Sequence, residues 1–387
     1  MKKRVLITYM ESGMGHITSI KSIADALRKE KDIELIESYL MQEDNNKTLK
    51  KFENFIINQT KKTNKDRHYG SFIFFVIKIL GKQKFMRAVH RTVFRKATKA
   101  ALQTMKKHNP DVIVSTYYFM TFCALEYKKK INPNCIVVTY NPDNNVHTWW
   151  DNRTGGAFFV NNAEAYEEAI KKHHFKKEEV KEVFFTARDS ILSAHEDKNL
   201  YRKKYNIPEN QFAVIVADGV YASAKSKEVT EELLKTQLPL TIVMLAGKNE
   251  AVYNHFKALE ENTNPNIKLI TMPFNADIHE VYCACDLFIT KAGPNAVLDS
   301  VFMNTPVLID YYAHPIEKVT KKLFVDKMEC GVYQPNIKKV RLKVEEFIAA
   351  PEKLNLYIEN CKKIDKNKNG ALDVAKYIVQ ELNKNNG

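Results

Sequence analysis

Arg4-Val5-Leu6-Ile7-Thr8-Tyr9-Met10, then Glu11-Ser12-Gly13-Met14-Gly15-His16, then Ile17 to Lys29 with Ile20, Ile23, Ala24 and Leu27 along one stripe, is the stretch that decides the fold. A short apolar, partly β-branched run predicts a buried strand, the glycines a tight loop, and the helical spacing an amphipathic helix. Ile33 to Ile36 supplies the next strand. The opening is therefore βαβ, which implies an α/β protein with a parallel, doubly wound sheet. Val112 to Ser115 and Ile136 to Thr139 extend that sheet. A second α/β series follows Asn206-Ile207-Pro208, with strands expected at Phe212–Ala217, Leu240–Leu245, Ile267–Thr271, Leu287–Thr290 and Pro306–Asp310. A chain of 387 residues, 44% of them hydrophobic, can bury two cores. The expected division is an N-terminal Rossmann-like domain over 1–190 and a second over 205–355. Helices over 356–387 are expected to pack back on the first domain, and Phe185 to Pro208 to act as the linker.

The net charge of +14 is unevenly spread. Between Arg67 and Pro110 stand eleven Lys or Arg and no Asp or Glu. Within that segment Phe72 to Leu80, interrupted by Lys78, is far shorter than the ~20 residues of a spanning helix. Lys82 to Lys107 reads as one long helix, with Met86, Val89, Val93, Ala97 and Ala100 on one side and Lys84, Arg87, Arg91, Arg95 and Lys99 largely on the other. Such a block seeks a polyanion. It lacks interleaved tyrosines for base stacking and matches no nucleic-acid motif, so the expected partner is an anionic membrane surface rather than nucleic acid. Phe72, Phe74 and Phe75 are the expected apolar contacts. The alternative is that the stripe packs on the N-terminal sheet and the cations are solvated. No signal-peptide cleavage site follows the basic start, and six scattered cysteines read as reduced thiols, so a cytoplasmic location is expected.

Three loops carry candidate chemistry. Gly13-Met14-Gly15-His16 sits between strand and helix, where amide N–H groups and the helix dipole favour an anion and a histidine faces the sheet edge. A solvent-exposed histidine at a helix start is the competing interpretation. Lys291-Ala292-Gly293-Pro294-Asn295 joins a strand to a helix over Ala296–Met303. Asp299 there can accept ribose hydroxyls or merely complement the dipole. Gly247-Lys248-Asn249 follows another strand, either as a polar turn or as part of the same binding edge. Cys283-Ala-Cys285 with His279 lacks the ligands of a metal site. Asp365-Lys-Asn367-Lys-Asn369-Gly370 copies half a calcium loop, but Lys376 stands where the bidentate glutamate belongs. No D-x-D pair occurs, which argues against a diphosphate held by a metal between aspartates.

With these residues in view, the chain resembles the monogalactosyldiacylglycerol synthases and processive diacylglycerol glucosyltransferases, relatives of the lipid II-forming peptidoglycan glycosyltransferase. Gly13 to His16 and Ile23-Ala24-Asp25-Ala26-Leu27 are similar to the family's G-G-G-H opening and its Ala-rich helix. Gly247-Lys248-Asn249 is similar to its G-K-N, and Thr290-Lys291-Ala292-Gly293-Pro294 is the most specific match. Asp310-Tyr311 and Glu317 resemble D-Y-x-P-G-Q-E, and Phe184 to Arg188 resembles G-x-P-V-R. Departures are Asn295-Ala296 for Gly-Thr, Asp299 for glutamate, Ile316 in place of glutamine with a one-residue insertion, and the glycine-poor Asp218-Gly219-Val220-Tyr221. The resemblance implies two Rossmann-like domains facing across a cleft, the GT-B arrangement. It implies inverting transfer of a hexose from a UDP-sugar to diacylglycerol or a glycosyl-diacylglycerol, with no cofactor and no metal. His16 would be the catalytic base. Gly15, Arg188, Gly247, Lys248, Asn249, Pro273, Phe274, Asn275, Lys291, Gly293, Pro294, Asn295, Ala296, Asp299 and Glu317 would bind the donor. The competing functions are a nucleotide-sugar transferase or epimerase with a soluble substrate, neither of which needs the eleven-cation segment, and a basic nucleic-acid-binding protein.

Overall fold

The structure is a computed structural model that describes residues 2–10, 14–39, 43, 46–65, 83–194, 196–220, 222–312 and 317–384. The chain forms two compact units, one of residues 1–189 with 368–387 and the other of residues 190–367.

The first unit is built on a six-stranded, all-parallel sheet of β1 (Lys3–Thr8), β2 (Ile33–Ser38), β3 (Val112–Ser115), β4 (Ile136–Tyr140), β5 (Gly156–Val160) and β6 (Val180–Glu182), in the order β2-β1-β3-β4-β5-β6. The central strands are buried on both faces, which is why they read as near-continuous apolar runs rather than alternating ones. Val5, Ile7, Val112 and Val114 pack on one side against Ile20, Ile23 and Leu27 of the helix Met14–Arg28. Leu6, Ile113 and Val137 pack on the other against a large aromatic cluster that includes Phe119, Phe122 and Trp150.

The second unit repeats the plan with β7 (Phe212–Val216), β8 (Leu240–Gly247), β9 (Ile267–Pro273), β10 (Leu287–Lys291), β11 (Val307–Tyr311) and β12 (Gly331–Tyr333), ordered β12-β11-β10-β7-β8-β9. All its pairings are parallel. Both sheets are thus Rossmann-like and doubly wound.

Two boundaries differ from expectation. The stretch Phe185–Pro208 is not a free linker. Its helix Lys198–Lys204 belongs to the second unit, where buried Arg202 donates to the carbonyls of Ala284 and Pro208 and to Asp286. The segment 356–387 is not one piece either. Leu354 and its helix Pro351–Lys362 join the core of the second unit, whereas the helix Gly370–Lys384 buries Ala371, Val374, Ile378 and Leu382 in that of the first. Gly370 is required at the junction, since a Cβ there would stand 2.0 Å from the carbonyl oxygen of Phe184. Its amide donates to the Phe185 carbonyl at 3.0 Å, and the Asn369 side chain accepts from Ala371 and Ala187 amides. The apparent half calcium loop is in this way a docked helix start. All six cysteines are buried free thiols.

The basic segment departs furthest. The single helix expected over Lys82–Lys107 is two, Gln83–Thr92 and Arg95–His108. Val93 and Phe94 break it: the Phe94 amide bonds back to Val89, and Val93 stands 71% exposed. Met86 and His90 of the first helix are buried, and the His90 ring lies among Phe94, Tyr118, Phe119 and Phe122. That apolar cage pushes the imidazole down to about 4. Two of the expected membrane-facing cations are spoken for. Arg87 pairs with Asp151 at 3.3 Å, and Arg91 with Glu126 at 3.0 Å. Burial alone would raise the Glu126 pKa, but Lys130, Arg91 and Arg153 outweigh it and hold the carboxyl at about 2. Lys84, Arg95 and Lys99 are exposed and make no ion pair among the described residues. Phe72, Phe74 and Phe75 lie outside the described residues.

Candidate functional site

In an open parallel sheet, ligands settle outside the carboxyl ends of the strands where the winding direction reverses. In the first unit that point lies between β1 and β3, and in the second between β7 and β10.

His16 stands at the first of these points. Gly15 and His16 are not loop residues; they occupy the first turn of the helix Met14–Arg28 that leaves β1. Thr116 directly follows β3. The His16 Nδ1 lies 2.6 Å from the Thr116 carbonyl oxygen, and the Thr116 hydroxyl donates in return to the His16 carbonyl at 2.9 Å. A carbonyl can only accept, so Nδ1 carries the proton and Nε2 the lone pair. The ring packs edge-on against Tyr117, with centroids 5.2 Å apart. Burial lowers the His16 pKa below its ordinary 6.5, more than the nearby Asp143 and the Thr116 carbonyl raise it. The result is an imidazole that is neutral at pH 7 with its basic nitrogen fixed. Arg188 belongs to the same unit, next to Ala187, whose amide and carbonyl are tied to the Asn369 side chain.

The second unit gathers the other candidates on one sheet edge. Gly247 ends β8 with φ +59°, and a Cβ there would meet the Val220 carbonyl oxygen at 2.1 Å. Only glycine fits this turn. The Lys248 amide donates to the Val220 carbonyl at 2.7 Å, and the Phe274 amide to the Gly247 carbonyl at 2.9 Å. The loops after β7, β8 and β9 are thereby laced together. Asn249 caps the helix Glu250–Leu259 by accepting from Val252 and donates to the Ala222 carbonyl at 2.8 Å. Pro273 closes β9, Phe274 is 46% exposed with the Lys248 ammonium over its ring, and Asn275 caps the following turn through the Asp277 amide.

Next to these, β10 ends at Lys291 and the helix Pro294–Phe302 begins with Gly293 as its N-cap and Pro294 at the first position. Proline has no N–H to lose there, and the amides of Asn295 and Ala296 are left as helix-start donors. Lys291 is held by Glu317, Nζ to Oε1 2.8 Å, so the two distant segments of the resemblance meet. Asp299 is the sixth residue of this helix, 8% exposed.

One constellation had no spacing signal in the sequence. Asp218, two residues past β7, accepts from the Ser223 amide at 3.0 Å, from the Ser223 hydroxyl, and from the Tyr311 hydroxyl at 3.0 Å. Asp310, 3% exposed, lies within reach of its charge, and the Asp310 Oδ1 has no hydrogen-bond partner among the described residues. Burial, then repulsion from Asp218, pushes the Asp310 carboxyl up to about 7.

Residues 16–183 match the family model of monogalactosyldiacylglycerol synthase, and residues 219–375 that of the glycosyltransferase family 28 C-terminal domain. The processive diacylglycerol β-glucosyltransferase of Bacillus licheniformis is 23% identical over 378 residues, covering 98% of this chain and 95% of its own. Among solved structures, MurG of Acinetobacter baumannii superposes with a TM-score of 0.62 at 15% identity, covering 98% of this chain and 99% of its own. HepE of Anabaena, solved with UDP, gives 0.57 at 12% identity over 99% and 100%. At those identities the structural likeness establishes the fold, which is that of the GT-B glycosyltransferases. The two models together span most of the chain, which thus joins a monogalactosyldiacylglycerol synthase domain to a glycosyltransferase family 28 C-terminal domain and is a hexosyltransferase.

Proposed function

We propose that this enzyme moves a hexose from a UDP-sugar to diacylglycerol, or to a glycosyl-diacylglycerol, at the cytoplasmic face of the membrane, with inversion and without a metal. The observation that carries the proposal is the neutral, oriented imidazole of His16 at the switch point of the first sheet. The activity for which the Bacillus relative is named suggests the lipid acceptor, and the UDP held by the HepE structure suggests the donor. In the proposed reaction the acceptor hydroxyl oxygen attacks the anomeric carbon as its bond to the diphosphate breaks. His16 Nε2 takes the hydroxyl proton. The departing UDP is stabilised by the amides of Asn295 and Ala296, the dipole of their helix and Lys291. Those groups supply positive potential where other enzymes use an ion, which is the reason for proposing metal independence.

Membrane contact rests on a smaller set of residues than the sequence suggested. Arg95, Lys96 and Lys99 are exposed on the helix Arg95–His108, with Phe85 and Val93 exposed nearby in the chain. An interface needs both terms, and each cation close to an anionic leaflet contributes about 1 kcal/mol.

The test is a transfer assay on vesicles of phosphatidylcholine and phosphatidylglycerol containing diacylglycerol, with UDP-glucose or UDP-galactose, run with and without EDTA. Glycosyl-diacylglycerol is expected by thin-layer chromatography, rising with phosphatidylglycerol content and falling with salt. Changing Arg95, Lys96 and Lys99 together to Glu should abolish that lipid dependence. No glycolipid from either sugar would reject the proposed acceptor, and loss of activity on chelation would reject metal independence.

A further inference from the structure

Three neighbouring strands of the second unit meet at one level immediately before Gly293. Lys291 of β10 pairs with Tyr311 of β11, whereas the preceding Thr290 pairs with Ile309, so Asp310 is an extra residue on β11. Such a bulge re-aims the side chains beside it. On the other flank Ile289 pairs with Val216 of β7, which brings Asp218, two residues on, level with Lys291. The Tyr311 hydroxyl donates to Asp218 Oδ2 at 3.0 Å, and since β10 lies between β11 and β7 this bond spans the end of β10. Tyr311 also holds that end by its main chain. The Ala292 amide donates to the Tyr311 carbonyl at 3.1 Å, and the Gly293 amide to that of Lys291 at 2.7 Å. Asp218 in turn accepts from the amide and hydroxyl of Ser223, the N-cap of the helix Ala224–Leu233. Two helix starts, at Ala224 and at Pro294, are thus tied to one carboxylate.

We infer that Asp218 and Tyr311 are positioning residues for sugar transfer, their bond holding the connection Lys291–Gly293 where Lys291 and the amides of Asn295 and Ala296 meet the departing diphosphate. This rests on the diphosphate cradle assigned in the proposed function. A carboxylate beside an anion site opposes the anion, so its presence at this level calls for another use. Asp218 is 7% exposed and receives three donors, which fix its direction and turn its charge into the protein. Burial, then the neighbouring Asp218 charge, pushes the Tyr311 phenol well above its ordinary range, so it stays a donor. Stabilising a leaving group demands donors that are already in place when charge develops. The Lys291 ammonium is braced by Glu317 at 2.8 Å, and its main chain is paired with Tyr311. Without the phenol, β11 and the loop after β7 lose their link across β10, and the cradle gains freedom where the reaction needs none.

The test is Tyr311→Phe, which removes one oxygen. Affinities for UDP and for uridine are measured on the full chain by titration calorimetry and ligand-observed NMR, beside a thermal melt that shows the variant folded. UDP binding should weaken about tenfold while uridine binding stays that of the parent, because only UDP carries the phosphates that reach the cradle. With the UDP-sugar that serves as donor, kcat should fall on the order of tenfold and the KM for the lipid acceptor should hold. In an Asp218→Ala background the same change should alter UDP affinity little, since the partner of the phenol is gone. Equal weakening of UDP and uridine overturns the inference, as does a loss of the same size with and without Asp218. Lys291→Met separates this from the cradle itself. If that variant loses UDP affinity while Tyr311→Phe keeps it, the cradle stands and the positioning role falls; if the parent chain binds no UDP, both fall.

Discussion

The two units begin their central business in the same way, with a strand, a short connection and a helix start, and then use it for opposite ends. At His16 the first unit removes charge. Its imidazole is pinned through Nδ1 to a backbone carbonyl, walled by Tyr117 and held neutral by burial. At Gly293–Pro294 the second unit gathers positive potential, with helix-start amides, a helix dipole and Lys291 braced by Glu317. A base for an alcohol must be neutral before it acts, whereas a cradle for a leaving diphosphate must be positive throughout. One backbone motif therefore supplies only a location. The side chains facing it decide whether it handles a proton or an anion.

The sharpest way to break this contrast is His16→Ala. Losing a positioned base should cost about 10²- to 10⁴-fold in turnover and leave UDP affinity, measured by calorimetry, nearly unchanged. Equal losses in turnover and UDP binding would mean that the two ends are not specialised. The next effect concerns charge within the second unit. Asp310 has its folded-state pKa raised to about 7, above the ordinary 3.8, so the folded protein binds the extra proton between those values. Its contribution therefore turns unfavourable as pH rises from about 4 to 7 and stays so above. Asp310→Asn removes that titration. Urea unfolding should show the variant gaining roughly 2–4 kcal/mol relative to the parent at pH 8, and little at pH 4. A gain independent of pH would assign Asp310 no titration of its own. The smallest effect is expected at Asp299. If it accepts ribose hydroxyls, Asp299→Ala should weaken UDP binding by about 1–3 kcal/mol. Unchanged affinity would leave it as a carboxylate that serves its helix alone.

Much of this architecture was legible because β-branched and aliphatic runs mark buried parallel strands, and the strand positions expected from them fall within a few residues of those observed. Three strands escaped. β6 and β12 have three residues each, too few for a pattern, and Gly156-Ala157-Phe158-Phe159-Val160 opens on a glycine, a residue depleted in strands. The candidate loops were legible through glycine and proline, whose backbone demands are local. Long-range partners were not. Nothing near Arg87 or Arg91 announces that Asp151 and Glu126 will neutralise them, because those acids lie 64 and 35 residues on. A segment with no acid of its own thus looked freer for a membrane than it is. The same blindness hid the meeting of Asp218 with Tyr311, 93 residues apart.

The return of the helix Gly370–Lys384 to the first unit has a consequence for the order in which the chain is made. Residues 190–367 form a unit whose parts are contiguous, so it has everything it needs once its last helix leaves the ribosome. The first unit does not. Although its six strands are synthesised earliest, the face of its sheet carrying Val138, Tyr140, Ala157 and Phe159 shares a core with Ala371, Val374 and Ile378, which emerge only afterwards. Apolar side chains worth roughly 1.5–3 kcal/mol each for the larger ones wait for that covering. During synthesis the older half of the protein is therefore the one left with an open hydrophobic surface, and the younger half matures before it.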